Sequence, residues 1–385
     1  MKINYSLLGL GSILSLSILL SGCGVFGKKD KTLQPKPLTQ FTATTTAKII
    51  WQSHTGHYAK KHYIKIHPVI ADNSLYIAGG SSASAWNKQT GQKLWTTPVA
   101  DTVTAGVNTG EGMVFVGTTG GNAIALDQAT GKPRWVQALS SEILAVSSAS
   151  NGMVVFRSND GKVHGLSTST GEIMWQQSRK TPILSLRGSS TPIVTGNKVI
   201  IGFDNGKLTA FDLQAGHAIW EAILGVPRGR TELDRIVDID GKLSLVGSTL
   251  YAATYNGQIA AVDVNTGGVR WSHGYSSDTG VEADSSSLYS ANEKGDVFKL
   301  SAQNGKPIWK MDDLGRRLPT APTIIGSHIV IGDGSGYLHF INRSTGKFAG
   351  RVKGDKRGYS VAPIVEGKTI YTLGKGGTLS AIQLQ

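Results

Sequence analysis

The sequence predicts an all-β chain folded as an eight-bladed β-propeller, its last blade shared between the two termini. Three observations predict it. A short phrase, Thr130-Gly131-Lys132-Pro133-Arg134-Trp135, returns as Thr90-Gly91…Trp95, Thr170-Gly171…Trp175, Ala215-Gly216…Trp220, Thr266-Gly267…Trp271 and Asn304-Gly305…Trp309. Trp95, Trp135 and Trp175 stand 40 residues apart, and a fixed period near 40–45 residues marks stacked sheets of the propeller type. Eight Val/Ile/Tyr runs, from Leu75-Tyr76-Ile77 to Ile370-Tyr371-Thr372, each lead into a Gly-containing turn. Finally, Ile49-Ile50-Trp51 is a Trp strand with no repeat before it, and Leu379-Ser380-Ala381-Ile382 is a repeat with no Trp strand after it.

Each element has a physical reading. In the recurring phrase Thr ends a strand, and Gly supplies the positive φ of a tight turn. Trp buries a large ring whose N–H can reach a backbone carbonyl, so one Trp per repeat on an outer strand is expected to pack between neighbouring sheets. Asn159-Asp160-Gly161, Asn205-Gly206 and Asn256-Gly257 read as hairpins. Ala123–Asp127, Leu208–Asp212 and Ile259–Asp263 read as the alternating strands that follow such turns. The seventh copy, Thr345-Gly346, has Gly350 where the Trp belongs, which is expected to loosen that blade. Pairing Ile49–Trp51 with residues 361–384 completes an eighth sheet and leaves only short, protected edges. A seven-bladed ring with one divergent blade is the structural alternative.

The N-terminus reads as a targeting segment, residues 1–22. Lys2 is its only charge, and Leu7–Leu20 is an apolar run too short to span a bilayer comfortably. The run ends in Leu20-Ser21-Gly22-Cys23, which resembles the bacterial lipobox. That resemblance implies cleavage before Cys23 and acylation of its thiol, with several acyl chains giving a stable anchor. Gly24 stands where an Asp would resemble an inner-membrane retention signal, so the outer membrane is expected. Cys23 is the only cysteine, which excludes an internal disulfide. Residues 23–47, with Lys28, Lys29, Lys31, Pro35, Pro37 and a Thr-rich end, read as the lipidated Cys and a flexible tether. Residues 48–385 are the propeller.

Composition excludes little else. Hydrophobic content of 39%, charge of 17% and 49 glycines suit a turn-rich globular chain, and the net charge of +13 favours acidic partners or an anionic surface; a nucleic-acid partner is not expected. There is no G-x-S-x-G elbow, H-E-x-x-H pair or Walker loop. His54, His57, His62 and His67 have spacings that permit metal binding but read more simply as a polar rim loop. Asp238-Ile239-Asp240-Gly241 resembles a fragment of a calcium loop without its other acidic positions or closing Glu. No catalytic residue, metal or cofactor beyond a covalent lipid is expected.

The informative departures from the period are loops. Trp220 and Trp271 are 51 residues apart, and the excess lies in Val226–Gly247. Long loops in a tight repeat usually carry function. The equivalent connection one blade earlier holds Leu184, Leu186 and Arg187, so these are expected on the same rim as Glu232, Asp234, Arg235, Asp238 and Asp240. Arg317 and Arg357 occupy matching connections and suggest a ring of arginines, either contacting a partner or pairing internally, as Arg187 with Asp238 or Asp240. Exposed leucines beside Arg are a plausible protein-binding patch.

Taken together, the lipobox, the basic tether, the Trp repeats of quinoprotein type, Leu184-Ser185-Leu186-Arg187-Gly188 and Thr231–Asp240 resemble the BamB family. These are lipoprotein subunits of the outer-membrane β-barrel assembly machine, the BAM complex. The resemblance covers essentially the whole chain. It implies a non-enzymatic scaffold on the periplasmic face of the outer membrane that binds the POTRA domains of BamA and supports insertion of barrel proteins, with possible contact to unfolded outer-membrane proteins. It assigns the BamA contact to Leu184, Leu186, Arg187, Asp238 and Asp240, with Arg235, Arg317 and Arg357 as further rim contacts. Two other readings remain: a periplasmic propeller binding glycan or peptidoglycan, and a pyrroloquinoline-quinone dehydrogenase. The latter commonly uses an adjacent cysteine pair that this chain lacks.

Overall fold

Alternation of apolar and small residues over five or six positions, punctuated by turns, gives strands that must bury both faces between neighbouring sheets. In the structure, a computed structural model that describes residues 34–56, 65–186, 188 and 190–385, these strands form eight four-stranded antiparallel sheets. Seven run in chain order, the first being Val69–Ala71, Ser74–Gly79, Ser82–Asn87 and Lys93–Pro98. The first strands of successive blades meet around the middle, and the fourth strands face outward with one open edge. The eighth blade takes Ile364–Glu366, Thr369–Leu373 and Thr378–Leu384 from the C-terminus and Ala47–His54 from near the N-terminus. Ala47 pairs with Leu384 and His54 with Thr378, so the ring closes as the sequence requires.

The core consists of apolar layers between blades. One layer joins Ile200, Leu208 and Trp220 of the fourth blade to Leu250, Ala260 and Val262 of the fifth. Each motif Trp crosses the same kind of boundary. Its indole N–H donates to a carbonyl of the next blade: Trp51 to Lys88, Trp95 to Gln128, Trp135 to Thr168, Trp175 to Leu213, Trp220 to Val264, Trp271 to Ala302 and Trp309 to Arg343, at 2.7–3.2 Å. The motif Gly lies under the ring of the preceding blade's Trp. A Cβ at Gly131, for example, would stand 2.5 Å from the Trp95 ring. Its φ of +70° adds a second reason for glycine. The Thr-Gly and Trp halves of the phrase therefore serve two different interfaces.

Gly350 has a different explanation from a worn, loosened motif. The eighth blade breaks between its third and fourth strands, where the other blades carry the Thr-Gly turn, so a Trp at 350 would have no glycine to cover. The space belongs instead to residues 35–46, which form a strap along the seventh blade. Thr44 and Thr45 donate backbone N–H groups to the Ala349 carbonyl at 2.8 and 3.1 Å. A Cβ at Gly350 would stand 2.7 Å from the Thr45 carbonyl oxygen. Phe41 stacks on Phe348 at 5.4 Å, and the Arg351 guanidinium lies against both rings. This part of the expected flexible tether is thus bonded to the ring, and Pro35–Gln385 form one compact unit.

The strap is also held by a buried polar set. Arg317 donates to Asp333 at 2.7 Å and to the Lys36 carbonyl at 2.9 Å. Arg351 donates to the Thr39 carbonyl at 3.2 Å and, through Nε, to His339 Nδ1 at 3.1 Å. With Nδ1 accepting, the His339 proton sits on Nε2 and is donated to Asp333 at 2.9 Å. Burial pushes the His339 pKa down, so the imidazole stays neutral.

Two stability outcomes follow from this architecture. Trp175→Ala, which removes a nearly buried ring and its bond to Leu213, is expected to cost about 3–5 kcal/mol in urea unfolding. Arg351→Ala, which removes the clamp on Phe41 and Thr39, is expected to cost about 1–3 kcal/mol in the same measurement.

Candidate protein-docking rim

In a four-stranded meander, the connection to the next blade and the hairpin between the second and third strands leave from the same face. The connections after Ile173–Ser178, Ala218–Ile223, Pro307–Met311 and Phe348–Lys353 therefore share one rim with the hairpins at 203–206 and 254–257. This places the residues selected by spacing on a common face. Arg187 lies outside the described residues, as do Cys23, His57 and His62.

Residues 182–186 present apolar side chains outward. Ile183 is 93% exposed and Leu184 41% exposed, whereas Leu186 is partly buried. The Leu186 N–H donates to the Asp238 carboxylate. The longer connection beginning at Val226 divides into two legs. Residues 226–235 are exposed throughout, with Val226 56% and Leu233 67% exposed. Thr231 and Asp234 cap one another reciprocally, each backbone N–H donating to the other's side chain at 3.1 and 3.2 Å. Residues 236–239 turn inward: Ile236, Val237, Asp238 and Ile239 are all buried, and Ile239 joins the layer between the fourth and fifth blades. The sequence Ile-Val-Asp-Ile-Asp thus places two carboxyls beside an apolar anchor.

Behind the loop the two carboxyls meet a third, that of Asp204. Asp204, Asp238 and Asp240 each bring an oxygen within 4.8 Å of the rest. Arg157, from the third blade, donates to Asp204 of the fourth at 2.5 Å and to the Gly202 carbonyl at 3.2 Å. One Asp238 oxygen and both Asp240 oxygens are inaccessible and have no hydrogen-bond partner among the described residues. Burial, followed by the neighbouring Asp240 and Asp204 charges, pushes Asp238 up to about 8. Burial and the Asp204 charge push Asp240 up to about 7. Three clustered carboxyls are a donor set a divalent cation could use, but here Arg157 already supplies a cation to Asp204, and protons answer the remaining charge.

The other selected residues fare unequally. Arg235 is exposed and paired with Glu232 at 3.1 Å. Arg357 is exposed. Arg317 is only 6% exposed and is spent on Asp333 and the strap, so the expectation of a rim contact there is corrected. His67 is pushed down to about 4 by burial and by Lys242 and Lys65. Sequence reasoning missed Arg157, Asp204 and Ile183. A lone Arg inside the apolar run Met153–Ser158 was the available signal for the first. Asp204 read as turn chemistry, and Ile183 carried no distinguishing pattern.

Together these features define a class of fold, an eight-bladed propeller with Trp-docked blades and with one rim of outward apolar side chains over a buried acidic base. The sequence profile described as outer membrane protein assembly factor BamB matches residues 79–311 and 293–385. The Pseudomonas aeruginosa protein named outer membrane protein assembly factor BamB is 44% identical over 375 residues, 97% of this chain and 98% of that protein. The crystal structure of BamB from Moraxella catarrhalis superposes with a TM-score of 0.80 at 26% identity, over 88% of this chain and all of that one. The chain belongs to the BamB family of outer membrane protein assembly factors. A quinohemoprotein alcohol dehydrogenase from Comamonas testosteroni superposes at TM-score 0.67 but 13% identity, over 88% of this chain and 76% of that one, which is a likeness of fold alone.

The raised carboxyls give a pH signature. Their folded-state pKa values exceed the ordinary carboxylate value, so the stability linked to them is full in acid and is lost as pH rises toward about 8. Amide protection of Leu186 and of residues 236–240, corrected for intrinsic exchange, is expected to fall as pH rises from about 5 to about 9.

Proposed function

We propose that this chain is a non-enzymatic scaffold of the outer-membrane protein assembly complex, and that its rim docks a periplasmic POTRA domain of BamA. The observation that carries the reading is the pair of exposed apolar positions, Ile183 and Leu184, on a loop fastened to a buried base. Solvent-facing aliphatic side chains on an ordered loop are poorly explained by folding, and their burial against a partner is favourable. Lys180, Arg228, Arg230 and Arg235 are exposed on the same two connections and outnumber the exposed Glu232 and Asp234 there, so an apolar surface with an acidic margin would complement them. Arg187 joins this set by sequence position. Acylation of Cys23 holds the propeller to the outer membrane on its periplasmic side, and no cofactor is required.

A second role has its own support. The fourth strands expose Leu94, Val136, Met174, Ile223 and Ile308 beside open edges. The strap on the seventh blade illustrates how an extended segment lies along such a strand. Unfolded barrel strands of alternating polarity suit these edges.

The docking reading is tested by titrating the protein with the isolated periplasmic region of BamA from the same organism in a calorimeter. Saturable one-to-one binding is expected. Leu184→Glu is expected to cost about 2 kcal/mol or more, roughly a thirtyfold loss of affinity, with unchanged thermal unfolding. Absence of wild-type binding, or an unchanged affinity in this variant, overturns the assignment.

A further inference from the structure

The geometry points to a division of labour within the rim: Asp238, Asp204 and Arg157 are positioning residues that form a lock spanning two blades, hold the loop from behind at Leu186, and do not touch the partner. The partner is met by the apolar side chains in front. The inference rests on the docking reading of the rim, but concerns which residues act through others.

Asp238 is 1% exposed. One of its oxygens accepts the Leu186 N–H and the other is inaccessible. No partner side chain reaches either without displacing the loop. Fixing the Leu186 N–H fixes the register of Leu184, two residues earlier. Gly188 completes the seat, since a Cβ there would lie 3.0 Å from Asp240 Oδ2, leaving no room for a side chain between loop and carboxyl. Asp238 and Asp240 in turn face Asp204, which is tied across the blade boundary to Arg157, itself 1% exposed and lying over the Phe203 ring. The contacts therefore run from the third blade, through the fourth, to the connection leading into the fifth, and end on the loop backbone.

Among the described residues, the charges facing this lock are Arg157 and Lys65 against Asp204, Asp240 and Asp278. Asp238 thus needs to be an acceptor for Leu186, not an anion. An amide meets that need. The oxygen of an Asn at 238 accepts the Leu186 N–H, and its NH₂ takes the place of the second Asp238 oxygen in the carboxyl cluster. A carboxylate that bound a cation on the partner would behave differently, because the amide would abolish the charge on which that contact depends.

The experiment compares wild type, Asp238→Ala and Asp238→Asn as full chains in mild detergent. Hydrogen exchange is read at Leu186 and its neighbours without any partner, and affinity is then read against the BamA periplasmic region. Asp238→Ala is expected to lower both the protection and the affinity, each by about tenfold or more, whereas Asn restores both to within about threefold of wild type. Asn is also expected to flatten the pH dependence of protection. An Asn variant with an ordered loop that binds as poorly as Ala overturns the inference, since the carboxylate charge would then act on the partner. If wild type fails to bind, the docking reading fails while exchange still decides the lock: protection in Ala equal to wild type overturns it.

Discussion

The indole of each motif tryptophan crosses a blade boundary, covering the next blade's turn glycine and donating to the carbonyl beside it. The rest of the ring depends on this contact. A single four-stranded sheet of this size exposes two apolar faces and cannot hide either alone. Stacking hides both, provided that neighbouring sheets keep a fixed spacing and tilt. The ring supplies bulk apolar contact, and the N–H supplies direction, so the boundary is specified as well as favourable. The glycine admits the ring at close range, and any side chain there would push the blades apart.

Where this device stops, the chain substitutes another. The eighth blade is built from both ends of the propeller and lacks the turn that a tryptophan at position 350, on the seventh blade, would cover. Residues 35–46 occupy the vacant groove, with Phe41 on Phe348 and Arg351 clamping both. The polar set beneath, Arg317, Asp333, His339 and Arg351, is satisfied through hydrogen bonds that end on strap carbonyls. The absence of a Trp at 350 is thus part of the closure, and not decay of the repeat.

A rigid ring also lets a loop be presented with precision. The rim loop hangs from Asp238, which lies in the buried run Ile236–Ile239, and Ile239 enters the layer between blades. The acidic base would be costly if all its carboxyls were ionised. Arg157 neutralises one, and burial keeps the other two protonated toward neutrality. Outward apolar side chains and inward polar restraint are complementary parts of one rim.

The sequence by itself determined the ring, the blade number, the shared last blade and the rim on which the long connections emerge. These follow from local periodicity: turn glycines, alternating strands and Trp spacing act over a few residues and repeat in register. The two loops of the rim were also legible, because they break the period. Only the tertiary structure decided what lies behind and beside them. Arg157 and Asp204 are 47 residues apart, and Arg317 and Lys36 are 281 apart, so neither pairing leaves a mark at repeat distance. The sequence could place Arg317 on the rim by its offset from Pro322, but its burial depends on the strap laid over it. Likewise Asp238 could be chosen by motif, but whether it faces a partner or a backbone N–H is fixed by the direction of the chain at Ile236–Ile239. Direction of that kind arises from packing between blades, which no single stretch of sequence contains.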